Sequence, residues 1–128
     1  MQHQDLTSIP TILLADDDKL VTMLLSKTLN DNGYSVTVVH DGEEAVEKAL
    51  GSHYDFIITD ILMPGIEGIE VISEILEKQP LAKIIAISSD GSAGYTTLLQ
   101  LAQTVGASAT LSKPISPSNL LETLDSIR

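Results

Sequence analysis

A doubly wound α/β domain, built on a five-stranded parallel sheet covered on both faces, is what this 128-residue chain predicts. Three observations carry that expectation. Five short runs with strand character alternate with five segments of helical periodicity. Several of the strand runs are apolar throughout, as strands buried on both faces are. Strands that alternate with helices need crossover connections, and the right-handed rule leaves few topologies for them.

Thr11 to Ala15 reads as the first buried strand. From about Lys19 to Asp31, Leu20, Val21, Leu24, Leu25, Thr28 and Leu29 recur at helical spacing, with Asp18 as the cap. Asn32-Gly33 ends that helix, and Gly33 suits the left-handed C-terminal position. Ser35 to Val39 is a β-branched second strand. Asp41-Gly42 then turns into a short helix expected to carry Ala45, Val46, Ala49 and Leu50 inward, closed by Gly51. Phe56 to Thr59 is the third strand, Met63-Pro64-Gly65 imposes a loop, and Ile69, Ile72, Ile75 and Leu76 mark a helix up to Pro80. Lys83 to Ile87 is the fourth strand. Tyr95, Leu98, Leu99, Ala102 and Val105 form a helical stripe ending at Gly106, and Ala109 to Ser112 is a fifth strand. Ser116 and Pro117 supply a cap and a first-turn proline for a last helix that turns Leu120, Leu121, Leu124 and Ile127 to the core. Residues 1–8 read as a disordered lead, and residues 9–128 as one domain with one core.

Composition narrows the function. Hydrophobic residues make up 43% and Trp is absent, so the core is aliphatic and offers no aromatic platform for a cofactor. A net charge of −11 and a pI near 4.3 argue against nucleic acid or an anionic membrane as a direct partner. With no cysteine, disulfides, thiolate metal sites and cysteine nucleophiles are excluded. Nothing approaches the roughly 18 apolar residues of a membrane span, and the first residues lack a basic start before an apolar stretch; a cytoplasmic location is expected. His3, His40 and His53 stand singly in polar contexts and read as solvated.

The chemistry lies at the strand ends. Asp16 and Asp17 follow the first strand, Asp60 the third, Ser88 the fourth and Lys113 the fifth. In an open parallel sheet the carboxyl ends of neighbouring strands converge on one edge, where ligands bind. Three carboxylates would share one crevice with a hydroxyl and an ammonium. Like charges at that separation raise one another's pKa, so the cluster calls for a cation.

These residues carry a resemblance. Asp16-Asp17, Asp60 with Met63-Pro64-Gly65 and Gly68, Ser88, Gly106-Ala107 and Lys113-Pro114 stand in the order and spacing of a response-regulator receiver domain, which the chain resembles from about Thr11 to Arg128. The resemblance implies the flavodoxin-like strand order 2-1-3-4-5. It implies that Asp60 accepts a phosphoryl group from the phosphohistidine of a sensor histidine kinase or histidine phosphotransfer protein. It further implies Mg²⁺, bound directly by Asp17, Asp60 and the backbone carbonyl of Leu62, and by Asp16 through water. Lys113 would balance phosphoryl charge, Ser88 would turn its hydroxyl toward the phosphoryl group, and Lys113-Pro114 would be cis. Leu62 and Asp90 would border the path of the hydrolytic water. Such a domain catalyses only its own phosphorylation and dephosphorylation.

Two positions depart from the family. Thr110 stands where receivers usually carry an aromatic residue, and Ser89 where they prefer Ala or Gly. An alternative is a Mg²⁺-dependent phosphohydrolase of the haloacid dehalogenase type, suggested by Asp16-Asp17-Asp18. Against it, Leu20 occupies the Thr/Val place, and neither an acidic pair after Lys113 nor a cap segment is found. A receiver-like interaction module that is never phosphorylated is the other alternative. The chain reads as a switch acting through protein contacts, either alone or as a piece of a longer protein. From Gly91 to Ser112 there is no charged residue. That interval spans the fourth helix and fifth strand, so the face formed by helix 4, strand 5 and helix 5 is the expected docking surface for a downstream protein.

Overall fold

The computed structural model describes residues 8–62, 68–89 and 93–128, with the backbone alone for 93–98. The elements follow in order as β1 (Thr11–Ala15), α1 (Lys19–Asp31), β2 (Ser35–Val39), α2 (Gly42–Gly51), β3 (Phe56–Asp60), α3 (Gly68–Lys78), β4 (Ile84–Ser88), α4 (Ala93–Val105), β5 (Ala109–Ser112) and α5 (Pro117–Ile127). All strand pairs are parallel, and the sheet order is β2-β1-β3-β4-β5. This is the flavodoxin-like order that the resemblance implied. The register aligns Ala15 with Val39 and Thr59, Asp60 with Ile87, and Ser88 with Ser112, so the strand ends meet at one edge.

Side-chain alternation sorts the core into two layers. Ile12, Leu14, Phe56, Ile58, Ile85 and Ile87 pack with Leu25 and Leu29 of α1 and Leu120 and Leu124 of α5. Leu13, Ala15, Ile57, Ile84 and Ala86 pack instead with α2, α3 and α4, through residues such as Ala45, Ile72 and Ala102. Each fully buried Leu or Ile contributes about 1.5–3 kcal/mol of transfer free energy. The two layers hold the sheet rigid beneath the strand-end residues.

Helix entry is set by capping. Asp18 accepts from the N–H groups of Leu20 and Val21 at 3.0 and 3.2 Å, Asp41 from Glu44 at 2.8 Å, and Ser116 from Asn119 at 3.3 Å. Gly33 turns the chain out of α1 at φ 92°, as its position predicts.

The helix faces differ in places from the sequence expectation. On α1 the core positions are Thr22, Leu25 and Leu29, while Leu20, Met23 and Leu24 are 59%, 61% and 57% exposed. Thr22 can lie inward because its hydroxyl donates to the Lys19 carbonyl at 3.1 Å, which leaves Leu20 and Leu24 turned to solvent. Leu50 is exposed at the last turn of α2, one step round from buried Ala49. Val71 of α3 is fully buried although it lay outside the expected stripe. Strand β3 runs on through Asp60, and β4 begins at Ile84 rather than Lys83. The side chains of Tyr95 and Leu98, the loop Met63-Pro64-Gly65, Asp90, and residues 1–7 of the expected lead lie outside the described residues. Among the described residues no helix is long and apolar enough to cross a membrane.

Candidate functional site

The end of β1 turns sharply. Asp16 N donates to the Val39 carbonyl at 3.1 Å, continuing the ladder one residue past the strand. Its side chain is fully buried and accepts from Asp18 N at 3.0 Å, which frees Asp18 to cap α1 and leaves Asp17 exposed. At the end of β3, Asp60 is 4% exposed. Its Oδ1 accepts from Leu62 N at 2.9 Å, and its Oδ2 accepts from Lys113 Nζ at 2.8 Å. Lys113 reaches both inner carboxylates, standing 2.7 Å from Asp16 Oδ2. Its backbone N donates to the Ser88 carbonyl at 2.6 Å, which ties the end of β5 to the end of β4. The Lys113-Pro114 bond is cis.

One oxygen from each of Asp16, Asp17 and Asp60 lies within 4.8 Å of the others. Three hard carboxylate donors on one rim, one of them exposed, suit a hard divalent cation that keeps part of its water. The charge balance shows in the titrating groups. Burial raises the Asp60 carboxyl, and repulsion from Asp16 adds to it, against the opposing Lys113 and Leu62 donors. Burial would lower the Lys113 ammonium, but its bonds to Asp16 and Asp60 outweigh that and raise it, so the lysine stays charged. The two directions agree, because two buried carboxylates share a single ammonium.

Ser88 is fully buried and its Oγ has no hydrogen-bond partner among the described residues. Leaving a buried hydroxyl unpaired costs about 1–3 kcal/mol. By strand alternation it follows Ile84 and Ala86 toward the layer of α2, α3 and α4. Thr110, paired in register with Ala86, alternates to the same side.

The predicted set Asp16, Asp17, Asp60 and Lys113 is therefore brought together, with Leu62 bonded to Asp60 and Ser88 on the next strand. Two features escaped the sequence reading. His40 is half-buried rather than solvated, and its Nδ1 donates to the Asp16 carbonyl at 3.0 Å. A cavity of about 450 Å³ adjoins Lys113, lined by Val21, Leu24, Leu25, Ser89, Pro114 and Ile115. Its signal was the excess of apolar residues on α1.

Residues 12–125 match the family model of the response regulator receiver domain. The chain belongs to that family. The receiver domain is 34% identical to the chemotaxis protein CheY of Thermotoga maritima over 117 residues, 91% of this chain and 95% of that protein. It is 37% identical over 87 residues to the transcriptional regulatory protein ResD of Bacillus subtilis, 68% of this chain but only 36% of ResD. Against the regulator PdtaR of Mycobacterium tuberculosis it spans 54% of the length. The structure of CheY4 of Vibrio cholerae superposes with a TM-score of 0.84 at 30% identity, covering 94% of this chain and all of that one. Receiver domains are signalling domains of two-component systems that work with histidine kinases and phosphotransfer proteins, and the phosphohydrolase alternative is not favoured.

Proposed function

We propose that Asp60 is the phosphoacceptor of this receiver domain, and that its phosphorylation switches protein contacts. The observation that carries the reading is the Asp60 carboxylate itself. It is buried at a strand end, anchored at one oxygen by Leu62 N–H and at the other by Lys113, and flanked by Asp16 and Asp17. In the transfer, a carboxylate oxygen bonds to phosphorus as the phosphorus–nitrogen bond of a donor phosphohistidine breaks, and the imidazole leaves with its electron pair. The donor is a sensor histidine kinase or histidine phosphotransfer protein.

Asp17, Asp60 and the Leu62 carbonyl would hold Mg²⁺ directly and Asp16 would hold it through water; once bound, the ion supplies positive charge to phosphoryl oxygens. Lys113 balances charge on another oxygen, and Ser88 offers its unpaired hydroxyl to the product. That hydroxyl links the site to α4 and β5, whose uncharged sequence supports the face of α4, β5 and α5 as the output surface toward a downstream protein. Leu101 on α4 is 45% exposed, in keeping with it. Neither nucleic acid nor membrane is a direct partner, and the protein works in the cytoplasm.

The test is mass spectrometry after incubation with a small acyl phosphate and Mg²⁺. One phosphoryl group should be added to the protein and none to Asp60→Asn. Undiminished labelling of that variant, or labelling at a histidine, overturns the assignment.

A further inference from the structure

Helix α3 begins on a residue without a side chain, and the place where a Cβ would stand is already filled. A methyl group at Gly68 would run into Ile61 Cα, and would lie 2.7 Å from the Asp60 carbonyl oxygen and 2.8 Å from Ile61 Cγ2. The first two are backbone atoms, so no rotamer change clears them. Nor can residue 61 yield easily. Its N–H donates to the Ile87 carbonyl at 2.9 Å, its carbonyl accepts from Gly68 N at 3.1 Å, and its side chain is 2% exposed. The peptide after Asp60 is thus gripped between β4 and the first turn of α3.

That grip lies at the acceptor. The next residue, Leu62, donates its N–H to Asp60 Oδ1 at 2.9 Å and fixes the carboxylate. We infer that Gly68 is a positioning residue for the cation site: lacking a side chain, it lets α3 hold Asp60, Ile61 and Leu62 where the Asp60 carboxylate and the Leu62 carbonyl face one ion together. The inference rests on the Mg²⁺ reading above and deepens it, because Gly68 itself supplies no ligand. A methyl group here displaces the two ligands relative to each other, whereas one at Gly51 meets nothing within 4 Å.

Another glycine separates positioning from simple instability. Gly106 has φ +129° and its added Cβ would meet Leu76 Cδ1 at 2.7 Å, so Gly106→Ala strains the fold away from the carboxylates. Thermal melts of the unphosphorylated protein over a range of Mg²⁺ concentrations read the metal affinity, since a ligand of the folded state raises the melting temperature. The wild type should rise and Asp17→Ala should not. Gly106→Ala should melt lower yet keep the wild-type affinity. Gly68→Ala should bind Mg²⁺ about tenfold or more weakly, the range found when a group supporting metal ligands is lost. If Gly68→Ala is unfolded in buffer, the titration is made for it and the wild type in trimethylamine N-oxide, which favours the folded state. A Gly68→Ala protein with wild-type affinity overturns the inference alone. A wild type indifferent to Mg²⁺ overturns the metal reading and the inference with it.

Discussion

Replacing Lys113 by Met removes the one cation that, among the described residues, faces Asp16 and Asp60. The side chains of the trio are 17%, 0% and 5% exposed, so solvent screens them little. A buried ion pair exchanged whole for apolar groups can be neutral, but removing one partner strands the other, at about 3–5 kcal/mol. Two carboxylates are stranded here. Exposed Asp17 leaves one side of the cluster open to water, which favours the lower figure, about 3 kcal/mol. With an unfolding entropy of about 2.1 cal/mol/K per residue over 128 residues, that corresponds to a fall of about 11 °C in melting temperature. The pH dependence follows from the shifted groups. Lys113 is raised, so its stabilisation is complete below the ordinary lysine value and is lost as pH rises through the higher folded value. Asp60 is raised as well, so its contribution is fullest below the ordinary carboxyl value and is lost as pH rises through its folded value. Well above the carboxyl range the stranded pair repels and the variant suffers most. As pH falls toward the carboxyl range, about pH 4, protonation relieves the repulsion and the two melting curves should converge. Circular dichroism melts at both pH values provide the assay. A variant within about 2 °C of the wild type near neutrality, or an equal deficit at both pH values, would refute the electrostatic account.

Asp18→Ala removes the acceptor for Leu20 N and Val21 N and should cost about 1 kcal/mol, visible as a lower melting temperature with Mg²⁺ affinity unchanged. Leu62 is 41% exposed and cannot orient water; Leu62→Asn or Leu62→Glu should change the autodephosphorylation rate several-fold, and unchanged decay in both variants counts against a water path there. A phosphoryl mimic at Asp60 should alter amide exchange across residues 93–112 as well as around the site. Protection that changes only beside Asp60 would move the output surface elsewhere, first to the exposed ridge of α1.

The strands were legible because a parallel sheet buried on both faces leaves runs such as Leu13-Leu14 and Ile57-Ile58 no other place, whereas their order came from the resemblance to receiver domains. The carboxylate cluster was legible for a related reason: position at a strand end is a matter of counting, and Asp16, Asp60 and Lys113 each follow a run directly. What escaped depended on contacts between distant segments. Periodicity could not tell that Thr22 would face inward and Leu24 outward, because a threonine able to bond its own helix backbone is as acceptable to a core as a leucine. His40 looked like a surface residue until the turn after β1 placed the Asp16 carbonyl 3.0 Å away. Gly68 matched a pattern, but the reason for a glycine there is the approach of α3 to Asp60 and Ile61, which only three dimensions reveal.

The sheet order leaves β2 and β5 with one hydrogen-bonded neighbour each. Their sequences, Ser-Val-Thr-Val-Val and Ala-Thr-Leu-Ser, contain neither a charged residue nor a proline, the usual local defences of a sheet edge against pairing with another chain. Lys113 follows β5 directly, but its ammonium is turned inward to Asp16 and Asp60. Defence against self-association therefore falls to the molecule as a whole: a net charge of −11 repels a second copy at neutral pH and vanishes near pH 4.3. Acidification toward that pH thus strips the colloidal protection from both margins of the sheet.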